Sequence, residues 1–419
     1  MILARRFFVR LSIIICVYNT DREHLSECLD SITDSTLFKI RDEYEICIVD
    51  DGSTADYSDL SKKHGARLKK TKNQGIYAAR ATGLSMARGK FTCFCDSDDT
   101  VSHDYYLPML ETAESNGADI VINGWANRTP RAAYYPSGDE TITEDFILSG
   151  EEKLLKFFEH EGRYHSFYVL WNKLYRTELL KKCFENLCAS GYKGFSYAED
   201  TAINFFAFRD ANIIENIHTG FYFYRIHPAQ SVNTTNARKL LLQIEGMCEA
   251  FRIMKTNLPK DSDEKTLRLR IAKWEHLMAK THLAVATALG YDAMFCVIEE
   301  KYGISIERLK LLKAVKSHRG NRLLPSNFKD IDYALLSLHK SDTPLAVKYN
   351  KKDAYVSSCM CRIIASGKVT HEKRSPDVTV QRAKIPAKLR IIHSPVIYKI
   401  GTRLFKKGSK VREFLKRFI

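Results

Sequence analysis

The sequence predicts an α/β fold, a mostly parallel sheet flanked by helices, followed by a mainly helical C-terminal region. Three observations carry this expectation. Continuous apolar runs recur near residues 11–19, 44–50 and 91–95, as strands covered on both faces require. Helix-patterned stretches separate them, which implies strand–helix–strand units. The second and third runs end in acidic clusters, Asp50-Asp51 and Asp96-Ser97-Asp98-Asp99, at what would be the carboxyl edge of the sheet, where such folds bind ligands.

Taken in order, "LSIIICVYN" (11–19) is the first buried strand. The basic and apolar start superficially suggests a signal peptide. Its apolar part is short, lacks a small-residue cleavage site and is interrupted by Tyr18-Asn19. A helix follows with Leu25, Leu29 and Ile32 on one face, then the strand in "YEICIVDDGS" and a short strand and loop in "ARLKKTKNQG". "GIYAARATGLSMARG" (75–89) reads as a helix that Gly89 would stop. After "KFTCFCDSDD" a helix near 104–116 starts at Asp104, tolerates Pro108 in its first turn and stops at Gly117. "ADIVINGW" (118–125) is the next strand. Residues 126–235 are irregular, 236–384 helical, and 385–419 a basic amphipathic tail.

Composition narrows the function classes. The 419 residues allow two or three domains, and 45% hydrophobic with 27% charged residues is a globular balance. No apolar run is long enough to span a bilayer. The 11 cysteines are odd in number and scattered through apparent core elements, which points to reduced thiols. Neither Cys93/Cys95 nor Cys359/Cys361 has the spacing of a zinc site. The two N-x-T matches, at Asn127 and Asn233, would matter only in a secreted chain. Of the net +15, residues 381–419 carry +11, so no nucleic-acid footprint spread over a folded face is expected.

The aspartates of "FCDSDD" admit two explanations. One is a solvated loop whose aspartate caps the next helix. The other is a divalent cation held by oxygen ligands, since clustered like charges need a counter-charge. A second acidic cluster at the same sheet edge favours a ligand crevice.

"SIIICVYN", "IVDDGST", "NQGIYAARATGLSMARGK", "FCDSDD", "LWNKLYR" and "YAEDTAINF" occur in that order over roughly residues 10–235. Together they resemble the family 2 glycosyltransferases, whose catalytic domain has the GT-A fold. The resemblance implies a nucleotide-sugar-binding half (1–125) and an acceptor-binding half (126–235). It places Asp51 on the nucleotide base: a carboxylate suits the N–H of a uracil ring, and Gly52 permits close approach. Its alternative is a turn or helix cap. Tyr18 joins the donor-binding set. Asp96-x-Asp98 resembles the metal motif for Mn²⁺ or Mg²⁺, with Asp98 the direct ligand and Asp96 nearer the ribose or held through water. Arg80 would reach the diphosphate or pair with an aspartate; otherwise it is an ordinary exposed helix arginine. Asp200 corresponds to the base and Glu199 to a neighbour that positions acceptor or base, against simple helix capping. Trp171 and Tyr197 would stack on sugars or belong to the core. His227 would touch metal or diphosphate, or be structural.

The implied activity is an inverting, metal-dependent hexosyl- or N-acetylhexosaminyl-transfer from a uridine-linked donor to a saccharide or lipid-linked acceptor. Its setting would be bacterial surface polysaccharide synthesis at the inner face of the cytoplasmic membrane. In the tail, Val411, Phe414, Leu415, Phe418 and Ile419 form an apolar stripe opposite Arg412, Lys416 and Arg417, which suits an anionic membrane surface or docking on the protein body. Two rivals remain. A nucleotidyltransferase would want a Gly- and Lys/Arg-rich loop where "VYNTDREHL" stands. A silent nucleotide-sugar-binding scaffold has no physical need of both Asp98 and Glu199-Asp200.

Overall fold

The computed structural model describes residues 8–129, 132–134, 145–159, 165–192, 194–195, 197–226, 236–260, 263–289 and 294–303. The chain divides into two compact units. One comprises residues 1–283 with 293–304; the other, 284–292 with 305–419, lies almost wholly outside the described residues. His227, Asn233, Cys359, Cys361 and the amphipathic tail also lie outside them.

The first half alternates as expected: β1 (Leu11–Val17), α1 (Arg22–Thr33), β2 (Tyr44–Asp50), α2 (Ser58–Lys63), β3 (Arg67–Lys70), α3 (Ile76–Met86) and β4 (Phe91–Asp96). A two-residue β5 (Thr100–Val101), α4 (Tyr106–Asn116) and β6 (Ile120–Thr129) follow. The segment read as irregular holds β7 (Ala132–Tyr134), β8 (Phe146–Leu148), α5 (Glu152–Phe157), α6 (His165–Tyr168), β9 (Lys173–Arg176), α7 (Thr177–Ala189), α8 (Glu199–Asp210) and β10 (Ile214–Arg225). Helices α9 (Ala237–Thr256), α10 (Glu264–Leu289) and α11 (Met294–Tyr302) complete the described chain.

The sheet runs β3-β2-β1-β4-β9-β6-β10-β5, with β7 on β6 and β8 on β10. β1 is parallel to β2 and β4, and β6 is parallel to β10. β9 is antiparallel to both neighbours, β4 and β6. The sheet is therefore mixed, parallel across β3-β2-β1-β4 as expected and largely antiparallel beyond β4, where the sequence reading expects a mostly parallel sheet throughout. Apolar cores lie on both faces: Ile14 packs into one, Ile13 and Ile15 into the other, all fully buried. Burial on both faces is why β1 reads as an unbroken apolar run rather than an alternating one.

Three details differ from the sequence reading. α3 ends at Met86 with Ala87 as its cap, so Gly89 does not stop it. A Cβ on Gly89 would sit 2.6 Å from the Ser12 nitrogen, so the glycine permits β4 to start against β1. α4 begins at Tyr106 rather than Asp104, although Gly117 (φ 70°) ends it as expected. Nor does the packing divide at residue 235: Met247, Ala250, Phe251, Ile253 and Met254 of α9 share a core with Phe205, Phe206 and Phe208 of α8.

Candidate active site

The carboxyl ends of β1 and β2 are stitched together by side-chain-to-backbone hydrogen bonds. The Asn19 N–H donates to Ser53 Oγ (2.9 Å), and Asn19 Oδ1 accepts from the Thr54 N–H (3.0 Å). Asn19 adopts φ 50°, left-handed for a non-glycine residue, immediately after Tyr18, which is 56% exposed. Asp50 accepts from the Ser53 N–H at 2.8 Å. Asp51 is buried, and its carboxylate accepts from Thr71 Oγ1 (3.2 Å), the Gln74 N–H (3.0 Å) and the Gly75 N–H (2.9 Å). It clamps the loop that opens α3, which is the capping role weighed above. Gly52 (φ +84°) does admit a close backbone approach, because a Cβ there would lie 2.7 Å from the Asn73 nitrogen. The approaching backbone is the protein's own.

The turn after β4 is held from beneath. The Asp96 N–H donates to Tyr222 Oη (2.9 Å), and the Ser97 and Thr20 hydroxyls lie 2.6 Å apart. Asp99 is 1% exposed and accepts from the Arg225 N–H at 2.7 Å, while Arg225 Nε donates to the Asp98 carbonyl at 2.6 Å. Burial, then Asp98 and Asp96, push the Asp99 carboxyl well above the usual range. Its role is to anchor the turn to β10. Sequence reasoning missed this division of labour, since no local pattern separates Asp99 from Asp96 and Asp98.

Arg80 joins the strand end to the helix start. Its Nη1 is 2.5 Å from Glu199 Oε1 and its Nη2 is 3.5 Å from Asp96 Oδ1, with Arg80 and Glu199 both under 10% exposed. It is therefore neither an exposed helix arginine nor placed on its own; it bridges elements 119 residues apart. Burial pushes the Asp96 carboxyl up to about 6, against the opposing pull of Arg80, with Asp98 and Asp200 adding to the rise. Burial likewise lifts Glu199 to about 7, with Arg80 opposing and Asp200 reinforcing. The Arg80 guanidinium is raised despite its burial, because Glu199, Asp96 and Asp200 surround it.

Asp200, the second residue of α8, is half-buried. One of its oxygens accepts from the Thr201 N–H at 2.7 Å. Burial raises its carboxyl, while Arg80, then the Thr201 N–H and then Lys173 work against that rise. Lys173 is fully buried and donates to the Ser166 and Val169 carbonyls, both at 2.5 Å. Ala198, just before the Glu199-Asp200 pair, is left-handed (φ 62°, ψ 15°). Ala198 and Asn19 are the two non-glycine residues with positive φ among the described residues, and both border this crevice. Trp171 is core: it is 6% exposed and stacks on Tyr222 with ring centres 4.4 Å apart. Tyr197 is half-buried beside the pair.

Among the described residues, no group of three or more His, Cys, Asp or Glu converges as a complete metal cage. The carboxylates of Asp96 and Asp98 at one strand end still fit a hard cation that shares its remaining coordination with a diphosphate.

Residues 12–184 match the model described as glycosyl transferase family 2. That segment is similar to family 2 glycosyltransferase domains. The uncharacterized glycosyltransferase EpsJ of Bacillus subtilis is 31% identical over 224 residues, covering 52% of this chain and 61% of EpsJ. EpsH of the same organism, also named as a glycosyltransferase, is 32% identical over 225 residues with the same coverage. The chain thus spans about 61% of the length of these curated relatives. S. aureus TarS 1-349 in complex with UDP aligns over 85% of this chain and 90% of its own, at 17% identity and a TM-score of 0.48. The family 2 match ends before Glu199-Asp200, so that pair is placed by geometry and not by the match. Among the described residues, no helix is long and apolar enough to cross a membrane.

Proposed function

We propose that this chain is an inverting glycosyltransferase that moves a sugar from a uridine-linked donor to a hydroxyl of a saccharide or lipid-linked saccharide. The observation that carries the reading is Arg80, which ties the Asp96 strand end to the Glu199-Asp200 helix start at one sheet edge. Tyr18 offers its exposed ring to the base, and Asp51 with the loop it clamps forms the floor beneath. Asp98 would hold Mn²⁺ or Mg²⁺, with Asp96 nearer the ribose. When bound, the ion supplies positive charge to the departing diphosphate, a contribution worth several kcal/mol.

Asp200 is partly exposed, whereas Glu199 is buried and held by Arg80, so Asp200 is the residue nearer an acceptor's reach. It takes the proton of the attacking hydroxyl. The hydroxyl oxygen bonds to the anomeric carbon from the face opposite the leaving group, the bond to the diphosphate oxygen breaks, and the centre inverts. A carboxyl raised above its ordinary value is a better base near neutrality. The names of the B. subtilis relatives support the reaction class. The poly(ribitol-phosphate) beta-glucosyltransferase of Bacillus spizizenii, 32% identical over 164 residues, supports a surface-polymer acceptor. The basic, apolar-striped tail supports a site of action at the inner face of the cytoplasmic membrane.

Purified protein incubated with a panel of nucleotide sugars, with and without Mn²⁺, should release nucleoside diphosphate from one uridine-linked donor in the metal-containing arm. Release of pyrophosphate from a nucleoside triphosphate and sugar phosphate would favour the nucleotidyltransferase reading. Release from no substrate, with donor still bound, would favour the scaffold. Truncation after Lys384 should leave the chain folded and abolish binding to anionic vesicles.

A further inference from the structure

The Glu199-Asp200 turn is held in an unusual backbone state. Ala198 is left-handed, which costs an L-residue energy and persists only where the surroundings enforce it. No side chain caps α8 at this position. The neighbour of this turn in α9 is a glycine. Gly246 lies in the middle of that 20-residue helix, where glycine is the worst ordinary choice for helix stability. A Cβ on Gly246 would lie 2.3 Å from the Tyr197 carbonyl oxygen, 3.0 Å from its carbonyl carbon and 3.0 Å from its Cβ. Two of those atoms are backbone, so the clash could not be relieved by a rotamer change. Gly246 is itself buried, and α9 packs directly on α8.

We propose that Gly246 is a positioning residue: its missing side chain lets α9 press on the Tyr197 carbonyl, which fixes Ala198 left-handed and aims Glu199 and Asp200 into the crevice. The inference rests on the reading of Asp200 as base for its functional consequence, and on geometry alone for its structural one. It makes a helix beyond the family 2 match part of the catalytic apparatus. Alanine would ordinarily strengthen a helix at such a position, so a loss on Gly246→Ala reports the contact and not helix propensity.

The test compares Gly246→Ala, Ala198→Val and Met254→Ala in the full chain. Met254 is fully buried in α9 away from this turn and controls for loss of stability. Two readouts are taken: hydrogen exchange at the Thr201 and Ala202 amides, which bond to Asp200 Oδ1 and the Ala198 carbonyl, and turnover with the donor found above. Gly246→Ala and Ala198→Val should each speed exchange at these amides at least tenfold and lower kcat at least tenfold, with donor KM within twofold. Met254→Ala should lower the melting temperature yet leave kcat within twofold. If Gly246→Ala does not fold, Ala198→Val decides, because a β-branched residue resists the same backbone state while position 246 stays glycine. Unchanged exchange at both amides overturns the inference whether or not the chain transfers sugar. A wild-type chain that transfers none counts against the proposed function, and the exchange readout then decides the positioning role by itself.

Discussion

The two sides of the crevice are built on different physics. The side formed by β1, β2 and the loop opening α3 is fixed by neutral backbone donors: Asn19, Asp50 and Asp51 each satisfy nearby N–H groups. The side formed by the Asp96 turn and α8 is fixed by charge. Arg80 sits among Asp96, Glu199 and Asp200, two of which are pushed up to about 6 and 7. A loop pinned by several backbone donors holds its shape as metal and donor come and go. A buried charge cluster does not, and its members shift with pH, metal and donor. Rigidity belongs to the side that would read the base, and responsiveness to the side that would do chemistry.

Removing Arg80 should break this asymmetry most severely. Arg80→Met leaves the buried Glu199 carboxylate without its cation, a change that costs about 3–5 kcal/mol when one partner of a buried pair is lost. Melting should drop sharply, and turnover should fall at least a thousandfold even below the new melting point. A variant that melts like wild type would show that the cluster is solvated and the comparison mistaken. Tyr18→Ala probes the other side. With the loop intact, donor KM should rise about tenfold while kcat is unchanged, as expected for loss of one stacking surface. A fall in kcat with KM unaltered would move Tyr18 out of the base site.

The smallest effect tests the pH argument. Glu199 is raised from an ordinary carboxyl value to about 7, so its contribution to stability is present at low pH and is lost as pH rises through about 7. The wild-type melting temperature should therefore decline between pH 5 and 8 by a few degrees more than that of Glu199→Gln. Parallel curves for the two proteins would mean that Glu199 keeps an ordinary pKa.

The same contrast explains what could be read from the chain. The neutral side is encoded locally: "VYN" and "DDGST" each end a strand whose apolar run is unmistakable, and their contacts fall within a few tens of residues. The charged side is assembled over long separations. Arg80 gave no sign that it would be buried against Glu199, since an arginine on an alanine-rich helix looks solvent-exposed. β9 has four residues and α8 is buried on nearly every face, so neither shows a clean period. Asp51 stood out as a candidate, but nothing in the local sequence showed that three donors of the loop opening α3 would engage it. Gly89 looked like a helix stop because nothing in the local sequence records that β1 lies against it.

The central claim is that one crevice separates donor binding, at Asp98, from proton abstraction, at Asp200. It is tested most directly by measuring donor affinity and turnover side by side in Asp98→Ala and Asp200→Asn, with Mn²⁺ present. Asp98→Ala should lose turnover and weaken donor binding, the latter only when the metal is there. Asp200→Asn should lower turnover by about two to four powers of ten and leave donor affinity within twofold. Wild-type turnover in Asp200→Asn, or donor binding lost equally in both variants, would contradict the account.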